Sequence, residues 1–169
     1  NSNSIERRKK KTIMEHFHTG FYNKKDITKA LRSIAAGDFE ELREIKTDEE
    51  CPYTDASNFL CGSCTLFALA LHNRFDYVVY EIVRKGNSLA HAFCQADYGD
   101  KKIYIDVRGI TSDFTEFMTG ILLPPNEEYC IQKRDTEQDI LCPEKYDDFG
   151  YAFAEAVINR NPEFYTLHK

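Results

Sequence analysis

The chain has 169 residues, enough for one domain with a sizeable core. Its 42 % apolar and 13 % aromatic content excludes intrinsic disorder, and no apolar run reaches the length of a membrane span. The net charge of -6 argues against nucleic acid as a main partner.

The first 25 residues carry one local basic run, Arg7-Arg8-Lys9-Lys10-Lys11, which reads as a solvated arm. No apolar stretch near the start resembles a signal peptide, and a first residue of Asn rather than Met suggests a domain excised from something longer. Asp26 should cap a short helix with Ile27, Leu31 and Ile34 on one stripe, stopped by Gly37. Asp38 and Glu41 look like a capping box for a second helix carrying Phe39, Leu42 and Ile45. Residues 46 to 60 read as loop. The run Cys61-Gly62-Ser63-Cys64-Thr65-Leu66-Phe67-Ala68 then puts a thiol at the mouth of an apolar helix, whose all-round apolarity predicts burial at the centre of the fold.

Three strands should follow. Tyr77 to Arg84 is rich in Val, Ile and Tyr, with Lys85-Gly86-Asn87-Ser88 as a turn. Leu89 to Ala96 is the second strand, Asp97 to Asp100 the next turn, and Lys102 to Arg108 the third strand. There Ile103, Ile105 and Val107 alternate with Tyr104, Asp106 and Arg108, so one face of an antiparallel sheet is expected to be solvated or functional. Asp113 and Glu116 suggest a short capped helix, broken by Leu123-Pro124-Pro125. Tyr129 to Lys133 reads as a further strand, and Phe149 to Asn159 as a helix ended by Asn161-Pro162. The whole is an α+β single domain spanning residues 1–169.

Chemistry concentrates in three residues. A helix N-terminus favours an anion, which for Cys64 is the nucleophilic thiolate. If the hairpin turn is centred between Tyr98 and Gly99, His91 stands directly opposite Asp106 on one sheet face. The carboxylate could then orient the imidazole and leave its other nitrogen for the thiol, whereas a one-residue slip would put the two on opposite faces. Cys, His and Asp in this order are a nucleophile, its base and the base's orienter. His16, His18, His72 and His168 lie in no comparable setting and read as surface residues.

Other readings use the same residues. Cys61 is a rival nucleophile. Cys61-x-x-Cys64 with His91-x-x-Cys94 could supply four zinc ligands, although His91 and Cys94 should point to opposite faces of a strand. A CxxC redox module lacks the preceding strand such motifs follow. Cys51, Cys61, Cys64, Cys94, Cys130 and Cys142 could form disulfides, but a domain this size folds without them, and Cys94 reads as a buried small hydrophobe. A catalytically inactive interaction domain would keep every motif residue.

The segment Cys61-Gly62-Ser63-Cys64 with Phe67-Ala68 resembles the active-site cysteine segment of papain-like proteases, in which the second cysteine is the nucleophile. His91-Ala92 resembles the family's histidine segment, and Tyr104-Ile105-Asp106-Val107-Arg108-Gly109 stands where that family has its Asn. Asn58 occupies the place of the Gln whose amide donates to the oxyanion. Thr65 replaces the family's aromatic, and the short interval from Cys64 to His91 leaves no room for a papain's second domain. The compact order is closer to the transglutaminase-like, arylamine acetyltransferase and bacterial deamidase-toxin branches, which use Cys-His-Asp. The resemblance implies a papain-like core with the cysteine helix packed on an antiparallel sheet. It implies catalysis by Cys64, His91 and Asp106, with Asn58 in the oxyanion hole. It further implies thiol-dependent amide hydrolysis or acyl transfer on a protein or peptide, with no cofactor or metal. By the same analogy the chain would be a secreted or delivered bacterial effector domain, answered by an inhibitor or immunity protein.

Overall fold

The computed structural model describes residues 15–47, 53–136, 138–139 and 147–168. The basic run Arg7–Lys11, Cys51, Pro52 and Cys142 lie outside the described residues. The fold is α+β. Strands β1 (Val78–Arg84), β2 (Leu89–Tyr98), β3 (Lys101–Asp106), β4 (Gly109–Thr111) and β5 (Tyr129–Lys133) form an antiparallel sheet in the order β4-β3-β2-β1-β5. The helices are α1 (Ile27–Arg32), α2 (Cys64–Phe75), α3 (Phe114–Met118) and α4 (Asp148–Arg160).

Aspartates start α1, α3 and α4 by accepting backbone N–H groups that have no partner inside the helix. Asp26 accepts from Lys29 N (3.0 Å), Asp113 from Thr115 N (3.0 Å) and Glu116 N (3.3 Å), and Asp147 from Gly150 N (3.0 Å). Helix α2 stops at Asp76, which turns left-handed (φ 61°) and donates its N–H to His72 O. No described helix is long and apolar enough to cross a membrane.

Both sheet faces are covered. On one, α2 and α4 bury Phe67, Leu71, Phe153 and Val157 against Ile103 and Ile105. On the other, Phe117 of α3 and Ile121 pack on Ile82 and Phe93, flanked by Tyr104 and Phe114. The second face was expected to be open to solvent or function. Phe114 and Phe117 lie three apart on one side of a single-turn helix, and they seal it: Phe117 stacks on Tyr104 and tilts against Phe93, and Phe114 tilts against Tyr104.

The Asp38–Glu41 helix does not form. Two 3₁₀ turns, Ala36–Asp38 and Glu40–Leu42, replace it, separated by extended Phe39, and neither has a side-chain cap. Phe39 and Leu42 are nonetheless buried. Their spacing of three residues suits a 3₁₀ turn as well as an α-helix, so the burial pattern holds and the element type does not. Leu31, Phe39 and Leu42 thereby complete this domain's own core. Within the expected loop at 46 to 60, Ala56–Phe59 forms a further 3₁₀ helix.

The β2–β3 turn also differs. Tyr98 pairs with Lys101 and Asp97 with Lys102, so the strands run on through an opposite-charge pair and close over Gly99-Asp100. Gly99 has φ +64°, suited to the first position of a tight hairpin. This moves the register by two residues. Beyond the last pair, Cys94 with Ile105, Asp106 falls level with Phe93, and His91 lies one same-face position further along β2.

After Asp106 the chain reverses over Val107-Arg108 into β4, a strand absent from the sequence reading. Gly109 makes this possible: its φ is +119°, and a Cβ there would stand 2.5 Å from Thr19 O. Residues 17–21 dock along this hairpin through Ser112 N to Phe17 O (3.0 Å), Thr19 N to Ile110 O (2.8 Å) and Phe21 N to Arg108 O (2.8 Å). Phe21 and Tyr22, which follow the basic run, are thereby buried against the hairpin.

Candidate active site

The approach to α2 is braced by Asn58. Asp55 accepts from Ser57 N (2.9 Å), while Asn58 Oδ1 accepts from Thr54 N and Asp55 N (both 3.0 Å), a capping box. The Asn58 carbonyl then accepts Ser63 N at 3.0 Å. The residue thus holds both ends of the loop before Cys64. That use of Oδ1 differs from the oxyanion role expected of Asn58, for which Nδ2 is the donor. Ser63 precedes the helix without capping it through its side chain; its carbonyl takes the Leu66 N–H at 3.2 Å, and its hydroxyl satisfies none of the first N–H groups of α2.

Cys64 is the first residue of α2 and is 6 % exposed, with His91 at 0 % and Asp106 at 3 %. The β2–β3 ladder stops at Cys94 and Ile105. Beyond it, the Ala92 N–H donates to Cys64 Sγ at 3.3 Å. The sulfur takes the place of a strand carbonyl at that edge of β2.

His91 Nε2 lies 3.0 Å from Asp106 Oδ2. The direct cross-strand pairing expected for these residues is replaced by a diagonal one, which an imidazole is long enough to span. The shift by two residues preserves the face. When Nε2 donates to the carboxylate, the neutral ring carries its lone pair on Nδ1, a buried nitrogen for which no hydrogen bond closes among the described residues. The ring is parallel to Phe93 (centroids 6.2 Å apart, planes at 5°) and leans on Phe117 at 6.0 Å.

The sequence places Arg108 in a strand alternation and assigns it no role, yet it is among the largest fully buried side chains of the described residues. Its backbone N–H donates to Asp106 Oδ1 (2.9 Å), Nε to Oδ1 (3.1 Å) and Nη2 to Oδ2 (2.7 Å). Nη1 donates to Thr119 O (2.7 Å) and Nη2 also to Phe117 O (2.8 Å), carbonyls at the end of α3. The guanidinium lies 5.0 Å from the Tyr22 ring centroid and 5.4 Å from that of Phe117. The same-face alternation of Asp106 and Arg108 was the one sequence signal available for it.

The charges perturb one another. Burial pushes the Cys64 thiol up, but the His91 imidazole beside it, the Ala92 N–H and the residue's own N–H outweigh this, and the thiol settles below its ordinary value. Burial opposes the imidazolium, yet Asp106 and Cys64 together push His91 up to about 9. Burial would raise Asp106; Arg108 and His91 overcome it and hold the carboxyl well below the usual carboxylate range.

The other cysteines stand apart. Cys94 Sγ donates to Ala68 O (3.4 Å) on the helix-covered face, and burial raises its thiol. His91 belongs to the opposite face, so the four proposed zinc ligands do not converge, and no such cluster exists among the described residues. Cys61 and Cys130 are exposed free thiols, and Cys64 and Cys94 are buried free ones. His16, His18 and His168 are exposed, while His72 is half-buried and bonds Tyr77 O through Nδ1. No protein-family model, curated protein or solved structure matches the chain.

Proposed function

We propose that this protein is a thiol-dependent amide hydrolase or acyl transferase acting on a protein or peptide, with Cys64 as nucleophile, His91 as base and Asp106 as orienter. One observation carries the reading. A buried imidazole fixed by a carboxylate through Nε2 presents an otherwise unpartnered Nδ1 beside a thiol at a helix N-terminus.

In this reading Nδ1 takes the thiol proton, and the thiolate adds to an amide carbonyl. The developing oxyanion meets the Cys64 backbone N–H at the start of α2, a contact worth on the order of 3 kcal/mol. Nδ1–H then protonates the departing nitrogen, the C–N bond breaks and a thioester remains. Water activated by His91 releases an acid, giving proteolysis or deamidation. An amine at the same step gives transamidation. The resemblance to the compact Cys-His-Asp branches of the papain-like superfamily supports the same assignment, and with it an effector role for the domain.

The test is incubation with a proteome-derived peptide library followed by mass spectrometry. Cut peptides indicate a peptidase, side-chain amides turned to acids a deamidase, and new isopeptide links a transamidase. Any product still formed by Cys64→Ala to the wild-type extent sinks the assignment.

A further inference from the structure

We infer that Arg108 is a positioning residue that divides the Asp106 carboxylate with His91 and so sets how readily the imidazolium gives up its proton. This rests on the nucleophile–base reading above. The geometry behind it is a single oxygen with two cationic claimants: Asp106 Oδ2 meets His91 Nε2 at 3.0 Å and Arg108 Nη2 at 2.7 Å. The other oxygen, Oδ1, is occupied by the Arg108 backbone N–H and Nε. The guanidinium cannot drift toward the imidazole or away from it, because Phe117 O and Thr119 O hold its far side.

A carboxylate bound to imidazole alone, in a site this dry, would stabilise imidazolium strongly. Such a base would strip the thiol easily but return the proton to a leaving amine poorly, since efficient proton transfer in both directions needs matched acidities. Arg108 withdraws part of the carboxylate's charge. It also balances the site: thiolate and carboxylate against imidazolium and guanidinium leave no net buried charge.

The surroundings of His91 supply few other ionic influences. Helix α2 contributes Cys64 and β3 contributes Asp106, while Arg108 of the β3–β4 turn reaches the ring through that carboxylate. From α3 the neighbour is Phe117, and the α3 carboxylate Glu116 is engaged by His18 and Thr111. On β1 the residue opposite His91 is Ile82, while Glu81 belongs to the other face and bonds Arg134 Nε at 2.6 Å. Tyr22 lies against the guanidinium itself.

The experiment is a histidine-selective ¹⁵N NMR titration of the full chain, with the His91 signal assigned by its loss in His91→Gln. In Arg108→Gln the His91 transition should move up by about one pH unit, since a neighbouring cation and its competing hydrogen bond are both gone. A purely structural arginine would leave that transition where it is, and an unchanged value overturns the inference.

Should Arg108→Gln fail to fold, Arg108→Lys is titrated instead, since it keeps the buried cation but cannot hold both carboxylate oxygens at once. The His91 transition should again move up, and an unchanged value refutes the role. A wild-type His91 titrating at the ordinary histidine value, with Cys64 alkylating as an ordinary thiol, would instead sink the nucleophile–base reading itself.

Discussion

Replacing His91 with Gln should convert Cys64 from an activated thiol to an inert one, and the structure supplies the size of the change. The largest single influence on Cys64 is burial, which raises its pKa, and the largest opposing ones come from His91. Without the imidazole, the Ala92 N–H at 3.3 Å and the residue's own N–H face that burial alone. The thiol should return at least to the free cysteine value of about 8.5, so no more than about 3 % would be thiolate at pH 7. Iodoacetamide modification followed by peptide mapping reads Cys64 separately from exposed Cys61 and Cys130. In the variant, the rate at pH 7 should be at most about 3 % of its own alkaline plateau. In the wild type the half-maximal rate should fall below the ordinary thiol range, and the imidazolium should persist until pH passes about 9. Because each profile is normalised to its own plateau, the limited access to a 6 % exposed residue cancels. Superimposable profiles would refute the reasoning, and faster labelling of Cys61 at neutral pH would move the nucleophile there.

Asp106→Asn should damage turnover less than His91→Ala. The amide oxygen can still accept from Nε2, whereas loss of the base should cost on the order of 10²–10⁴-fold; equal losses in kcat on one substrate would show that the carboxylate charge itself is required. Deleting residues 1–24 removes buried Phe21 and Tyr22, each worth about 3–5 kcal/mol, against a typical folding margin of about 5–15 kcal/mol. The truncated chain should lose its cooperative thermal transition, and a normal melt would contradict a structural part for this segment. Gly109→Ala and Gly86→Ala both place a side chain at positive φ, at a cost on the order of 1–3 kcal/mol each, but only Gly109 has backbone 2.5 Å from the new Cβ. Its melting temperature should fall further, by about 2–4 °C for each additional kcal/mol, and matching melts would contradict the tight strap at Thr19.

The elements legible from sequence were those whose signals are local. Asp26 and Asp113 announce their helices by hydrogen-bonding residues two or three positions on, and β1 to β3 follow from residue type and alternation. The shared face of His91 and Asp106 survived a misjudged turn because strand side chains repeat every two residues and the register moved by two. What stayed hidden depends on distant chain. Beyond its alternation with Asp106, the strand says nothing of the burial of the Arg108 guanidinium, because the carbonyls that accept it belong to Phe117 and Thr119 and the ring covering it to Tyr22. Closure of the second sheet face likewise needed α3 to fold back over β2 and β3. The short strand β4 was missed since its partner on the outer side is residues 17–19, far away in sequence.

The sulfur that accepts the Ala92 N–H gives Cys64 a second occupation, as a mason's tie at the frayed edge of β2. Alanine, the usual choice for an inactive control, would strip that tie and leave a buried amide without an acceptor, a loss of about 1–3 kcal/mol. Serine offers an oxygen in the same direction and is the better silent partner for trapping experiments. Any replacement that cannot accept that N–H should therefore loosen this edge of the sheet, whatever it does to reactivity.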